Sequence, residues 1–378
     1  MKCGVTKNEE IENEELYDSN ELSEITEPFD PTLIDVDIAV VNLGSVIEDI
    51  EDNDIELQPD FQRSDEAWDI VRKSRLIESI LLGLPLPAFY FSEDPLTNKR
   101  VVIDGLQRLT AIKDFVLNTE NPLKLKGLQF LHKLEGKVYE ELGRGDKKRI
   151  KSLKITINTL RKTTPSNVKF VIFQRVNSAG VPLTSQEMRH ALYQGKATKF
   201  LKELANLQSF KDATDNTISS SRMLDRDFVN RFLAFYIAFD EYKGDLDSFM
   251  SEALNKLNNM SDDELNEIQN IFDKSMKCCY GIFGADCFRK RLKREDGRYK
   301  ISKAIFDTLS VNVAKLTTEE QEILIKEQEH LKNDFMELCN NKDFDNSISK
   351  GTAKISSIKI RFSEIERMIN KYLSKNDN

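Results

Sequence analysis

Histidine is scarce in this sequence. His132, His190 and His330 are the three it has, and they lie far apart, which leaves little for imidazole acid–base or zinc chemistry to use. Cysteine is scarce too: Cys3, Cys278, Cys279, Cys287 and Cys339 are odd in number and form no C-x-x-C pair. Reduced thiols in a cytoplasmic protein are the simplest expectation. No apolar run approaches the ~20 residues of a membrane span. The first twenty residues are acidic and lack the basic-then-apolar pattern of a secretory leader. The glycine-rich G-x-x-x-x-G-K-[ST] loop is missing, as are protein-kinase signatures, so neither of those phosphate-handling designs applies. There is no repeat of fixed period.

What is present is a 378-residue chain, 39% hydrophobic and 31% charged. That length allows one large or two medium globular domains. The net charge of −9 conceals an asymmetry. Residues 1–60 hold 19 acidic residues and two basic ones, a balance of −17, whereas 61–378 hold 53 basic and 45 acidic, a balance of +8. A mildly basic body is compatible with nucleic acid, and the acidic end either competes for that surface or is a solvated tail.

Residues 1–30 have few large apolar side chains and are expected to be a disordered acidic tail. Beyond Pro31 the pattern becomes that of a folded domain. "IDVDIAVV" alternates as a strand and passes into a helix; Asp65 and Glu66 favour the start of a further helix, whose apolar stripe runs from Trp68 to Leu84 until Gly83 and Pro85 end it. "AFYF", "RVVID" and "LKITINTL" read as strands, and "SNVKFVIFQRVN" as a helix. Thr184 with Glu187 forms a capping box, flanked by a Leu183–Met188 staple. Beyond Gly195 everything reads as helix. The expected class is α+β: a domain with a small mixed sheet over 31–195, then an all-helical domain over 196–378.

The chemistry concentrates at "VVIDGLQRLTAI", Val101 to Ile112. A strand runs into Asp104-Gly105, and a helix opens behind it. Gly105 permits a tight turn and close approach of an anion, and the unpaired amides of the next turn point at that spot. Gln107, Arg108 and Thr110 supply polar side chains, and a guanidinium can grip phosphate oxygens bidentately. Asp104 can hold a metal ion, orient a water or accept from a ribose hydroxyl. An isolated D-G-x-x-R fits a cap with an internal salt bridge equally well. Other element ends add Arg63 in "PDFQR", and Arg175, Asn177, Glu187 and Arg189 in "RVNSAGVPLTSQEMR". In the helical half, Arg222, Asp225, Arg226, Asp227 and Arg231 form a charged cluster that suits a salt-bridged seam or a ligand site. "FRKRLKRE" at Phe288–Glu295 is the densest basic run and a candidate for DNA phosphates.

Four motifs, "LQPDFQR…W…LIESILLGLPLPAFYF", "VIDGLQRLTAI", "FQRVNSAGVPLTSQEMR" and "RMLDRDFVNRFLAF", occur in this order in a large bacterial family. Over roughly residues 33–310 the sequence resembles the N-terminal domain of GmrSD-type, modification-dependent restriction enzymes, whose core is similar to the ParB/sulfiredoxin fold. The resemblance implies binding and hydrolysis of a nucleoside triphosphate at a D-G-Q-Q-R turn. It assigns Asp104, Gln107 and Arg108 to catalysis, Arg63, Gly105, Gln107, Arg108, Thr110 and Asn177 to the nucleotide, and Asp104 to a Mg2+ ion. Two departures stand out. Leu106 occupies the place of the family's first Gln, and the three histidines do not form the His-Asn-His nuclease that DNA-cutting members often carry. A nuclease partner protein is one consequence. No cysteine lies between Cys3 and Cys278 to serve a sulfiredoxin reaction.

The expected function is therefore a cytoplasmic triphosphate-binding and -hydrolysing protein of a bacterial restriction or phage-defence system. The alternatives are a switch module that binds nucleotide or DNA without catalysis, and a ParB-like metal-dependent nuclease acting through Asp104.

Overall fold

The computed structural model describes residues 11, 12, 14, 31–57, 68–94, 99–176 and 183–374. The chain forms two compact units: residues 29–192, and a second unit made of 1–28 with 193–378.

The first unit follows the order β1 (Val36–Asn42), α1 (Leu43–Glu51), β2 (Ile55–Glu56), α2 (Ile70–Leu82), β3 (Phe89–Glu93), β4 (Arg100–Asp104), α3 (Leu106–Val116), α4 (Arg144–Ser152), β5 (Lys154–Leu160), α5 (Ser166–Val176) and α6 (Ser185–Leu192). Its mixed sheet has the strand order β1-β5-β3-β4-β2. β1 pairs antiparallel with β5, β5 parallel with β3, β3 antiparallel with β4, and β4 parallel with the two-residue β2. Side chains alternate across this sheet as strand geometry demands. Phe89, Phe91, Val102, Ile155 and Ile157 join the stripes of α1, α2 and α3 on one face. Ile103 and Leu160 meet α5 and α6 through Phe170, Phe173 and Met188 on the other. The sheet thus lies between two helical layers. α+β is the class that the sequence pattern implies.

Local starts and stops follow side-chain chemistry. α2 begins at Ile70 because the Asp69 carboxylate accepts from the Arg72 amide, and it ends at Gly83, which adopts φ 74°. The proposed start at Asp65 and Glu66 falls outside the described residues. The capping box at α6 forms as expected: Thr184 Oγ1 accepts from the Glu187 amide at 3.1 Å, and the Thr184 amide donates to Glu187 Oε2 at 2.7 Å. The β2 strand has no sequence signal because two residues carry no periodicity.

The second unit is built from α7 (Lys196–Asn206), α8 (Gln208–Ala213), α9 (Leu224–Ala238), α10 (Leu246–Asn259), α11 (Asp262–Phe283), α12 (Lys303–Ala314), α13 (Thr318–Lys326), α14 (Gln328–Cys339), α15 (Lys342–Ser349) and α16 (Ile355–Leu373). α12 is buried on all sides after Lys303, and its buried polar side chains, Asp307, Thr308, Ser310 and Asn312, are hydrogen-bonded. Aromatic pairs such as Phe228–Phe306, Phe232–Phe272 and Phe235–Phe362 knit α9, α11, α12 and α16 together. Cys278, Cys279, Cys287 and Cys339 are buried free thiols, and burial pushes Cys339 up to about 11. No helix among the described residues is long and apolar enough to cross a membrane.

One expectation fails in part. Ile11 is buried and bridges Ile301, and Glu14 pairs with Arg231. At these positions the acidic tail is packed chain, because Ile11 has apolar surface to bury and Glu14 has a cation to meet.

Candidate functional site

The candidate site is the junction of β4, Gly105 and α3. Gly105 adopts φ 102° and ψ 6° at the N-cap of α3, a conformation that L side chains rarely hold. A Cβ there would also collide with the Phe89 ring at the start of β3 and come within 3.2 Å of Arg108 Nη2. The glycine is thus required twice, by the turn and by the close packing of β3 beneath it. α3 opens without a side-chain cap and without an acidic residue in its first turn. Its first amides and the positive end of its dipole are therefore suited to an anion.

Arg108 takes a different position from the one expected. Its Nη1 donates to the Pro87 carbonyl, while Nη2 donates to the Ala88 carbonyl at 3.2 Å and to Asp104 Oδ2 at 2.7 Å. The guanidinium also lies 4.3 Å from the centroid of the Phe89 ring, a cation–π distance. Its side chain is 11% exposed against 34% for Asp104. Burial pushes Arg108 below its ordinary value, and Asp104 opposes that shift. Of the two arrangements the sequence allows, a guanidinium on phosphate and an internal pair with Asp104, the internal pair is the one present. Arg108 folds back and brackets the start of β3 to the end of β4, because two main-chain carbonyls there need donors.

Gln107 is tied elsewhere. Its Oε1 accepts from the Trp68 amide at 3.3 Å, which leaves its Nε2 as the donor end. Leu106, the departure from the family motif, packs with Val101 and Ala191 and against the α1–α3 cluster. Thr110, one turn further in, is buried, and its Oγ1 has no hydrogen-bond partner among the described residues. Such an orphan costs about 1–3 kcal/mol unless something satisfies it. The structure therefore brings Asp104, Gly105, Gln107, Arg108 and Thr110 together at one junction. Arg63 and Asn177 lie outside the described residues.

The other candidates resolve as structure. Glu187 caps its own helix, and Arg189 is buried with Nε bonded to Gln186 Oε1 at 2.9 Å. Arg175 is exposed in the last turn of α5. "FRKRLKRE" is a loop rather than a helix; three of its five cations are taken up internally, and Lys293 and Arg294 are exposed. Arg289 is buried and donates to the Tyr299 carbonyl, Lys290 meets Asp345, and Arg291 meets Asp286. Exposed cations without a sequence signal of their own are Arg144, Lys148, Arg149 and Lys151 on α4, and Phe130 is exposed in the segment that precedes them.

Two buried charged groups in the first unit carried no sequence signal beyond their helical register. The Glu78 carboxylate accepts from the Gln129, Phe130 and Leu131 amides at 2.7–3.0 Å. Burial would raise it, yet those three donors hold it below its ordinary value. Lys169 is buried with Nζ on Ser92 Oγ at 3.0 Å and on the Glu93 carbonyl at 3.2 Å. Burial depresses its ammonium despite Glu93 and Asp94.

No group of three or more His, Cys, Asp or Glu among the described residues could hold a metal ion. Asp104, with one oxygen on Arg108, offers the other as a single hard ligand, which suits Mg2+ only when a triphosphate supplies further oxygens. Comparison with curated proteins returns no match, and neither does comparison with solved structures. Residues 43–194 match the family model described as GmrSD restriction endonuclease, N-terminal domain.

Proposed function

We propose that the chain is a nucleoside-triphosphate-binding and -hydrolysing component of a DNA-restriction or phage-defence system, with the phosphates at the N-terminus of α3. The observation that carries this reading is the uncapped first turn of α3 beside the partly exposed Asp104 carboxylate. Main-chain amides of Leu106 and Gln107 would cradle phosphate oxygens, and Gln107 Nε2 would add a donor. Arg108 acts as a positioning residue. It fixes the Asp104 carboxylate and the β3–β4 junction, and does not reach the ligand. Asp104 would hold a Mg2+ ion arriving with the triphosphate, and that ion supplies charge neutralisation. Arg63 and Asn177 are further ligands by the family resemblance.

The test is phosphate release from each of the four ribonucleoside triphosphates with magnesium, alongside equilibrium binding. Asp104→Asn should abolish release and keep binding, and Gln107→Ala should weaken binding. Unchanged binding and release in both variants would remove the site from this junction. One observation favours a second reading. The Leu106 side chain, partly buried, packs against the apolar core, where unlike a glutamine it donates nothing to phosphate. A switch that binds without hydrolysis predicts saturable, Gln107-dependent binding with no phosphate released.

A further inference from the structure

The helical unit contains a binding arrangement that the nucleotide reading does not use. The Ile11 backbone pairs with Ile301 as a parallel bridge, and the Glu12 amide donates to the Ile301 carbonyl at 2.8 Å. Ile301 is also bridged by Arg289, so Ile11 and Arg289 form two isolated β-bridges to the same residue. Ile11 is buried. Glu14 is 11% exposed and meets Arg231 in fork-to-fork geometry, with Nη1 to Oε2 and Nη2 to Oε1 both 2.9 Å. Thr352 Oγ1 donates to the same carboxylate at 2.7 Å. Glu12 faces Lys290 at 3.8 Å.

Each of these cations also has a fixed acidic partner inside the unit. Arg231 holds Asp307, Lys303 holds Asp227, and Lys290 holds Asp345. Arg231 Nε and Nη2 both reach Asp307, so the cation stays in place whether or not Glu14 is there. Glu14 meets the other edge of that guanidinium and comes from 217 residues away in the chain. Lys303 lowers the Glu14 carboxyl further, after Arg231. The combination of an added β-bridge, an apolar side chain and a carboxylate read bidentately three residues later is a peptide-recognition design.

We infer that the groove formed by Ile301, Arg231, Lys303, Lys290 and Thr352 is a receptor for an extended acidic peptide, and that this chain's own Ile11–Glu14 stretch is its ligand. Without the segment Lys303 and Lys290 keep Asp227 and Asp345, while the buried Arg231 and Arg361 share Asp307 alone, so the receptor needs a carboxylate from an acidic peptide to balance its charge. A partner bearing an apolar residue three positions before a glutamate would compete for the same groove.

The experiment uses the full chain and a fluorescent peptide of residues 7–18. In the native protein the internal segment fills the groove, and the peptide should bind weakly. Glu14→Gln in the protein should release that segment, and the peptide should then bind about 10- to 100-fold more tightly, the worth of a charge-assisted pair. The same peptide carrying Gln for Glu14 should lose that gain. Equal binding to native and Glu14→Gln proteins, or equal binding of the two peptides, would overturn the inference. Amide exchange guards against a variant that misfolds. Thr352→Val keeps the cations and should still speed exchange at Glu12; unchanged protection there would equally overturn it.

Discussion

Arg108 and Arg231 are both helical arginines with acidic residues close by in sequence, Arg108 in the first turn of α3 and Arg231 midway along α9. Arg108 finds its carboxylate four residues away and completes its shell with the Pro87 and Ala88 carbonyls and the Phe89 ring. Arg231 is 3% exposed, keeps Asp307 on one side, and takes Glu14 from the far end of the chain on the other. The first is a bracket closed by local partners. The second is a socket, because one of its two counter-charges comes from 217 residues away in the chain. Where the counter-charge comes from in the sequence decides which role the guanidinium has.

Arg231→Met tests the socket most severely. It leaves the Asp307 carboxylate buried with only Arg361 at 3.6 Å, and should cost about 3–5 kcal/mol in urea unfolding. Adding Asp307→Asn should restore part of that loss, since no lone charge then remains. If the single variant is as stable as the native chain, the contrast collapses. Gly105→Ala tests the bracket from the other side. Its φ of 102° and the Phe89 ring together predict a loss of about 2–4 kcal/mol. Arg108→Lys should cost less, about 1–2 kcal/mol, because a lysine cannot hold two carbonyls and a carboxylate in one plane. Chemical denaturation of both variants ranks them, and the reverse order would mean that the guanidinium, not the turn, dominates the junction.

The pattern of the chain revealed four of the five sheet strands, the α6 capping box and the glycine turn between β4 and α3, because each rests on periodicity or on residues within four positions. The Arg108 shell was not legible, since main-chain carbonyls of another strand leave no trace in composition. The Glu14 site was hidden for the opposite reason. An acidic, apolar-poor stretch looks solvated until a distant arginine claims one of its carboxylates. "FRKRLKRE" likewise hides its pairing: Arg289, Lys290 and Arg291 are taken by the Tyr299 carbonyl, Asp345 and Asp286, partners that a dense basic run does not announce.

Acid gives a smaller, local effect in the first unit. Glu78 is held low by three amides, and Glu135 by the Gly127 and Leu128 amides, both below the ordinary 4.5. A depressed carboxyl contributes stability that is present above its unfolded value and lost as pH falls through its folded one. Exchange of the Gln129, Phe130 and Leu131 amides, corrected for intrinsic rates, should therefore rise as pH falls below about 4.5, before that of the α2 core. Glu78→Gln should move that loosening to neutral pH. Equal protection of native and variant at pH 7 would sever the loop from this carboxylate.

The smallest effect on stability is expected on α4, and there the comparison turns from burial to solvent. Lys148, Arg149 and Lys151 are exposed on a helix that buries only Ile150. Replacing all three with Ala should change unfolding by no more than about 0.5 kcal/mol. If this surface meets DNA in place of Phe288–Glu295, the same replacement should flatten the slope of log affinity against log salt by up to about 2.7, roughly 0.9 for each phosphate no longer neutralised. Removing Arg291 and Lys290 instead should do the reverse: it unpairs Asp286 and Asp345, lowers stability, and leaves the salt slope unchanged. A slope that responds to the second pair and not to the first three would return DNA binding to the loop, and would mean that its internal ion pairs open when DNA arrives.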